Sequence, residues 1–291
     1  MKSMDKKDKR MKAFEEVSTY EELRQHLIDR ANKLNNSHNG GVTRYICHYT
    51  KLDAAIAIIK NQRWYIGSPT RMNDGLELSH ASTKDWNKTF FASFMLEPKE
   101  SIAMWSMYAQ PWIDGVMLRI PVEKFKFWIR TPLAIASADP YTKAANNDDI
   151  ASSVEVSFHA VAYTNAESKD STESEQLYCG RDKNANLKNI LSSSELIGYV
   201  KDSAWSYENE YRLRVYNKSN ADYKAVSISI PEDVVDSFEI VAGPRFRGDL
   251  LARVQEKISS GLEEKQLKQS IFTGKLNWVY CDDCGRKSNE K

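Results

Sequence analysis

The chain has 291 residues, of which 41% are apolar and 28% are charged, a composition that suits one large or two small folded domains. Its 41 basic and 40 acidic residues nearly cancel, which excludes a global positive field for nucleic acid but not a local basic groove. Four cysteines are too few for a disulfide framework and predict a reducing, cytoplasmic setting. No stretch approaches the roughly 20 apolar residues of a membrane-spanning helix, so no membrane association is expected.

The first third of the chain predicts a helix, a strand, a second helix and a second strand. After a basic tail, "STYEELRQHLIDRANKL" has the apolar spacing of a helix. "RYICHYT" predicts a strand, and Thr50 is placed to cap the helix that follows. That second helix has an apolar stripe of Leu52, Ala55, Ile56 and Ile59. "RWYIGSP" predicts the next strand, which Gly67 and Pro69 end.

The rest of the chain alternates between the two kinds of pattern. Further strands are predicted at "TFFASFML", "GVMLRIP", "VEVSFHAVAY", "EYRLRVY", "AVSISI", "EIVAG" and "LNWVY", and helices at "ESIAMWSMYA", "PEDVVDSF" and "DLLARVQEKIS". A polar region from about 137 to 189 predicts long loops or an insertion. The order is too irregular for a doubly wound parallel sheet, so we expect one mixed α/β domain of the α+β type over 41–262. A tail and helix over 1–40 precede it, and an extension over 263–291 follows.

The segment "WSYENEYRLRVY" raises a question about its charges. On a strand, Glu208, Glu210, Arg212 and Arg214 would share one face. Taken alone, this pattern is typical of a half-exposed strand laced with ion pairs. Trp105 and Tyr108 lie three residues apart on a predicted helix, a spacing typical of core packing.

Other local motifs carry little chemistry by themselves. A lone histidine such as His48 is more often a buried residue bonded to a carbonyl than a ligand. The pair Cys281 and Cys284 forms a single C-x-x-C, whereas structural zinc needs four ligands, so no metal is predicted. The chain has neither a Gly-rich phosphate loop nor a metal-type histidine pair.

Taken in order, these segments resemble a large family of mostly uncharacterised bacterial proteins. The shared features are the H-Y-T strand at His48, the following helix and S-P strand, an N-D loop, an M-W-S-x-Y-A helix, a W-x-x-E-x-E-Y-R-L strand and a G-P-R turn. The opening also resembles the ADP-ribosyltransferase superfamily, especially the DarT-type enzymes. This resemblance implies a split β-sheet core with peripheral helices.

The same resemblance implies roles for individual residues. His48 would hold the adenosine-side ribose of NAD, Tyr65 would stack on nicotinamide, and Glu210 would be the catalytic carboxylate with Glu208 as its companion. Arg212 would keep Glu210 ionised or bind the NAD pyrophosphate. The remaining candidates for NAD binding come from the first two motifs and are Tyr49, Thr50 and Ser68.

The resemblance implies an NAD-dependent ADP-ribosyltransferase of the toxin or phage-defence kind. Its acceptor would be nucleic acid or protein, and an antitoxin is a candidate partner. A carboxylate suits this chemistry because cleavage of the nicotinamide–ribose bond passes through an oxocarbenium-like state that negative charge stabilises. Two alternatives stay open: a non-enzymatic nucleotide or nucleic-acid binding module on the same fold, and an NAD glycohydrolase in which water replaces the acceptor.

Overall fold

The computed structural model describes Asp29 and residues 44–69, 87–96, 100–164, 198–257 and 266–276. Nearly all of the predicted N-terminal helix and of the last predicted strand lies outside these ranges. The N-D loop, residues 165–189 of the polar insertion and the pair Cys281 and Cys284 lie outside them as well.

Strands and helices follow the predicted order closely. The strands are β1 (Tyr45–Lys51), β2 (Arg63–Gly67), β3 (Thr89–Leu96), β4 (Gly115–Pro121), β5 (Ile135–Ser137), β6 (Val154–Ala160), β7 (Ala162–Thr164), β8 (Val200–Asp202), β9 (Glu210–Asn217), β10 (Ala225–Ser229), β11 (Glu239–Ala242) and β12 (Leu267–Gln269). The α-helices are α1 (Leu52–Asn61), α2 (Ile102–Tyr108), α3 (Val122–Arg130), α4 (Glu232–Val235) and α5 (Leu250–Lys257). Two 3₁₀ helices span Ala151–Ser153 and Ser203–Glu208.

Ten of the described strands form one large sheet in which nearly all pairings are antiparallel. Its main path is β12-β11-β4-β1-β3-β2-β10-β5, and β9 joins β3 to β6. The described strands β7 and β8 form a separate parallel pair. The predicted mixed α+β architecture is therefore confirmed as a large, mostly antiparallel open sheet with several helices. None of the helices in the described ranges has the length and apolar character needed to cross a membrane.

The strand β3 stands at a fork in the sheet. One edge of it pairs with β9 from Thr89 to Met95. The other edge is shared, because β1 pairs with Met95 and Leu96 while β2 pairs with Phe91. Two strands that bond opposite ends of the same edge must diverge between those ends. The gap therefore opens beside Ala92–Phe94.

Alternation along β1 divides the apolar residues between the two faces of the sheet. Ile46 points into the main core with α1, α3 and the large rings Trp64 and Trp128. Cys47 and Tyr49 point to the other face, where they meet Trp105 of α2. This division places one helix layer on each side of the fork.

Two details of the helices differ from the expectation. Thr50 does not cap α1, because β1 keeps pairing with β4 as far as Lys51, and Lys51 occupies the N-cap position. The first free N–H of α1, at Leu52, donates to the carbonyl of Asp114 instead. Helix α3 was not predicted, although its buried residues Val122, Phe125 and Trp128 recur every three positions, as on one side of a helix.

Glu100 joins the last described segment to the start of α2. Its carboxylate accepts hydrogen bonds from Trp105 Nε1 at 3.0 Å, Ser270 Oγ at 2.5 Å and the Ile271 N–H at 3.0 Å. Strand β12 pairs in parallel with β11 just before this contact. Residues 266–276 are therefore fixed both to the edge of the sheet and to α2.

We predict that Gly115→Ala destabilises the fold by about 1–3 kcal/mol, because a side chain there overpacks a filled region. An added Cβ would clash with the Ala109 carbonyl oxygen and lie 3.0 Å from Ala109 Cβ. The check is the free energy of unfolding from denaturant titration. Gly67→Ala is the control, since its Cβ would find Tyr65 Cε1 at an ordinary 3.5 Å. Equal stability of both variants would contradict the prediction.

Candidate functional site

A cavity of about 970 Å³ lies in the fork between β1 and β2. Pockets for small ligands usually measure about 300–1,000 Å³, so this one can accept a dinucleotide-sized ligand. On one side it is lined by residues of α1, including Ala57 and Asn61. On the other side it reaches Tyr108 at the end of α2 and Glu208. The cavity therefore passes through the gap from one face of the sheet to the other.

The structure brings most of the predicted site residues to this cavity. Its walls include His48, Tyr49, Thr50, Tyr65, Glu208 and Glu210. Ser68 and Arg212 are not among the described residues that line it. The juxtaposition of His48 and Glu210 matters most, because they are more than 160 positions apart in the chain and come from different strands.

His48 fills the place where the ladder between β1 and β3 ends. Its Nδ1 lies 2.9 Å from the Ser93 carbonyl oxygen, and a carbonyl can only accept, so Nδ1 carries the proton. Burial lowers the pKa of His48, and the bond to Ser93 offsets this only in part. The ring is therefore neutral at pH 7, and its Nε2 carries no proton.

Ser93 links the two residues that the resemblance singles out. Its carbonyl accepts a hydrogen bond from His48 Nδ1, and its hydroxyl hydrogen-bonds to the Glu210 carboxylate. One residue of β3 thus fixes both the imidazole and the carboxylate. Sequence analysis missed Ser93 because a single serine in "TFFASFML" does not disturb an apolar strand pattern.

Glu210 is a buried carboxylate held by two cations. Arg212 grips it in a bidentate pair, with Nε 2.7 Å from Oε1 and Nη2 3.1 Å from Oε2. Lys201 Nζ lies 3.5 Å from Oε2. Burial raises the pKa of Glu210, but the charges of Arg212 and Lys201 outweigh burial and hold that pKa well below its usual range. Glu210 is therefore ionised throughout the physiological pH range.

The alternation predicted that Glu208 shares a strand face with Glu210. In the structure Glu208 lies outside strand β9. It ends the 3₁₀ helix Ser203–Glu208, and Asn209 then takes a left-handed φ of 44° before β9 begins. Both carboxylates nevertheless converge on Lys201, whose Nζ lies 2.7 Å from Glu208 Oε2. Convergence on a shared cation thus replaces the predicted spacing along one strand face.

The surroundings of Glu208 make it a weaker acid than Glu210. Burial raises the pKa of Glu208, and the negative charge of Glu210 raises it further, against the opposing effect of Lys201. Tyr108 donates a short hydrogen bond to Glu208 Oε1. Two carboxylates with pKa values pushed in opposite directions are typical of an acid–base pair with divided roles.

Lys201 and Tyr108 were both missed by sequence analysis. Lys201 belongs to the short strand β8, which has no periodic signal of its own, and it meets the two carboxylates because the 3₁₀ helix Ser203–Glu208 turns the chain between them. Tyr108 was interpreted as core packing with Trp105. In the structure Trp105 is buried in the core, whereas Tyr108 is half-buried and lines the cavity.

The charged strand β9 is not the half-exposed strand that its pattern suggested. From Glu210 to Val215 every residue is buried. Arg212 is 0% exposed and its remaining Nη1 donates to the Gly198 carbonyl at 2.6 Å. Its guanidinium bonds both carboxylate oxygens of Glu210, which suits the role of keeping that carboxylate ionised. Arg214 is also buried and donates to Ser157 Oγ.

The other end of the cavity is positively charged. Arg63 donates to Ser227 Oγ at 2.8 Å, and Lys143 Nζ lies 5.6 Å from the centre of the Tyr65 ring. Both cations line the cavity. The nicotinamide ring of NAD is itself cationic, so the ammonium over Tyr65 favours an anionic group of a ligand at this end.

The other predicted ligand residues have structural contacts. Tyr49 is 5% exposed and packs edge-on against Trp105 with ring centroids 4.8 Å apart, while its hydroxyl accepts the Ser101 N–H. Thr50 is half-buried on the same strand. Over the described residues, no group of three or more His, Cys, Asp or Glu side chains is arranged to hold a metal.

Residues 104–213 match a family described as "Protein of unknown function (DUF2971)". The match begins in α2 and ends in β9, which is less than half of the chain. It includes Tyr108, Lys201, Glu208 and Glu210 but not His48. The description of the family states no activity. Comparisons with curated proteins and with solved structures give no significant match.

We predict that Arg212→Met destabilises the protein by about 3–5 kcal/mol, since it leaves the Glu210 carboxylate buried without its main partner. The pKa of Glu210 is depressed in the folded state, so its pairing stabilises the fold above the unfolded pKa and loses this effect as pH falls through the folded pKa. The free energy of unfolding of the variant should therefore fall less steeply as the pH is lowered. Denaturant titrations at several pH values check both points.

The control is Lys124→Met, which removes a lysine paired at 2.8 Å to Asp233 on the surface. Exposed pairs contribute about 0–1 kcal/mol, so this variant should stay close to the wild type. If Arg212→Met lowers the free energy of unfolding no more than the control does, Arg212 is not the main partner that stabilises the buried Glu210.

Proposed function

We propose that the chain is an NAD-dependent ADP-ribosyltransferase that uses Glu210 as its catalytic carboxylate. The observation that supports this is the meeting of His48 and Glu210 in one cavity, joined through Ser93. A split-sheet ADP-ribosyltransferase core is part of the proposal, and the fork at β3 supports it. The proposal also includes a cytoplasmic toxin or phage-defence role and an antitoxin partner, both implied by the sequence resemblance.

The neutral imidazole of His48 gives NAD its first anchor. Its Nδ1 is committed to Ser93, so its Nε2 accepts a hydrogen bond from a ribose hydroxyl. The cations Arg63 and Lys143, which line the far end of the cavity, suit the negative pyrophosphate. The ligand would then extend from this positive end towards the carboxylates.

Glu210 is placed to stabilise the charge that develops when the nicotinamide–ribose bond breaks. Nicotinamide leaves with the bonding electron pair, and C1′ of the ribose becomes oxocarbenium-like. A carboxylate that is already ionised and held by Arg212 and Lys201 needs no reorganisation at that moment. Glu208 then serves as the base for the acceptor, because its raised pKa suits proton transfer near neutral pH.

One observation favours NAD glycohydrolysis as a second candidate. Glu208 is 2% exposed, so the reacting atom of a macromolecular acceptor has less access to it than water has. In a glycohydrolase, water would attack C1′ in place of the acceptor. The two activities share Glu210 and differ in the product, which is ADP-ribosylated acceptor in one case and free ADP-ribose in the other.

We predict that Glu210→Gln lowers nicotinamide release from NAD by about 100–1,000-fold, the effect expected when a preorganised electrostatic group is removed. Purified protein is incubated with NAD, alone and with cell extract that has or has not been treated with nuclease or protease. The matched control is Glu155→Gln, because Glu155 is an exposed carboxylate near Arg214 that does not line the cavity.

Each result of this assay has a defined meaning. Release that survives Glu210→Gln, in a folded variant, would contradict the assignment of the catalytic carboxylate. Tight NAD binding by the wild type without any release would favour the binding module. Sensitivity of transfer to nuclease or protease identifies the acceptor as nucleic acid or protein.

We predict that ADP-ribosyl transfer fails at a higher pH than nicotinamide release when the pH is lowered. Glu208 must be deprotonated to act as a base, and its pKa is raised by burial and by Glu210, against Lys201. The pKa of Glu210 is depressed, so Glu210 stays ionised at pH values where Glu208 is already protonated. Tyr108 and Tyr207 also face Glu208, and both stay protonated in this range because the pKa of each is raised.

The measurement follows both rates between about pH 4 and about pH 8, which spans ordinary carboxyl and histidine pKa values. Transfer is read from labelled acceptor, and release is read from free nicotinamide. A parallel decline of the two rates would exclude separate roles for the two carboxylates.

A further inference from the structure

The base assigned to the acceptor lines the cavity, but both of its carboxylate oxygens already accept hydrogen bonds. Glu208 is 2% exposed, its Oε1 accepts the Tyr108 hydroxyl and its Oε2 accepts Lys201 Nζ at 2.7 Å. An acceptor has less access to this nearly buried carboxylate than to the half-buried Tyr108. The proton of the acceptor therefore has a more direct route through a group that is already bonded to Glu208.

Only one of the two partners of Glu208 has the chemistry to pass a proton on. The ammonium of Lys201 has three donors and no lone pair, so it cannot accept a proton. It also hydrogen-bonds to Glu210 as well as to Glu208. The phenol of Tyr108 has one donor and two acceptor lone pairs, so it can give its proton to Glu208 while it takes another.

The position of Tyr108 fits such a relay. It is the last residue of α2, it is half-buried, and it lines the cavity that His48 and Glu210 share. Its hydroxyl donates directly to Glu208 Oε1. Helix α2 is held in place by Trp105 in the core and by the contact of Trp105 Nε1 with Glu100. The phenol is therefore presented from a fixed helix end.

We propose that Tyr108 is a catalytic residue that relays the proton of the acceptor to Glu208. This inference rests on the proposed function and adds a residue on its acceptor side. As the acceptor O–H or N–H attacks C1′, the bond from C1′ to nicotinamide breaks and the bond from C1′ to the acceptor forms. The acceptor proton moves to the Tyr108 oxygen while the Tyr108 proton moves to Glu208, which later releases it to water.

The test compares transfer and nicotinamide release in Tyr108→Phe with those in the wild type. Transfer to the acceptor supplied by cell extract should fall about 100-fold, the size of a general-base contribution. Release without extract should change less than about threefold, because cleavage of the bond to nicotinamide depends on Glu210. The matched control is Tyr207→Phe, which removes the hydroxyl of an exposed tyrosine bonded to the Met107 sulfur next to Glu208 and should leave both rates unchanged.

A double variant separates a relay from a structural role. If Tyr108 and Glu208 act as one unit, the double variant Tyr108→Phe with Glu208→Gln should transfer at the rate of the slower single variant. Multiplying losses would overturn the relay. Site-specific 3-fluorotyrosine at position 108 keeps the shape while it changes the acidity of the phenol, so it serves if Tyr108→Phe unfolds, and an unchanged transfer rate would count against the relay.

The outcomes distinguish the relay from the proposed function on which it rests. A wild type that releases no nicotinamide with any extract would overturn the proposed function and the relay together. A wild type that transfers normally, beside a folded Tyr108→Phe that transfers equally well, would overturn the relay alone.

Discussion

The packing around the cavity depends on the burial of one ionised carboxylate, that of Glu210. An unpaired buried charge is strongly destabilising, so the Glu210 carboxylate has to be paired with cationic side chains. Arg212 comes from the same strand, Lys201 from β8, and Ser93 from the neighbouring strand β3. Three separate stretches of chain thus converge on one side chain. The cavity wall and the charge cluster that supports it are therefore the same structure.

The fork at β3 gives this cluster a cavity to face. A sheet normally pairs each strand along its whole edge, and an open stretch leaves backbone groups without partners. Here the imidazole of His48 donates to the Ser93 carbonyl and so replaces a ladder bond at the point where β1 turns away. The same side chain also lines the cavity. One residue thus satisfies the backbone at the fork and forms part of the cavity wall.

Sequence patterns predicted the regular elements well because burial alternates along strands and repeats along helices. The buried stripe of α1, for example, is the one that the spacing predicts. Two kinds of feature could not be predicted this way. The left-handed residue Asn209 interrupts the alternation before Glu210, which moves Glu208 off the strand. Tyr108 reaches Glu208 through a long-range contact, and Lys201 reaches both glutamates across an irregular turn, and the periodicity of a short segment records neither.

The contact of Glu100 with residues 270 and 271 gives the far end of the described chain an influence on the site. These residues supply two of the three donors to Glu100 described above, and the third comes from Trp105 in the helix that ends at Tyr108. Without this segment the Glu100 carboxylate would keep one of the three donors, and α2 would lose its connection to the edge of the sheet. Because α2 ends at Tyr108, the position of that phenol depends on the packing of a segment that does not itself line the cavity.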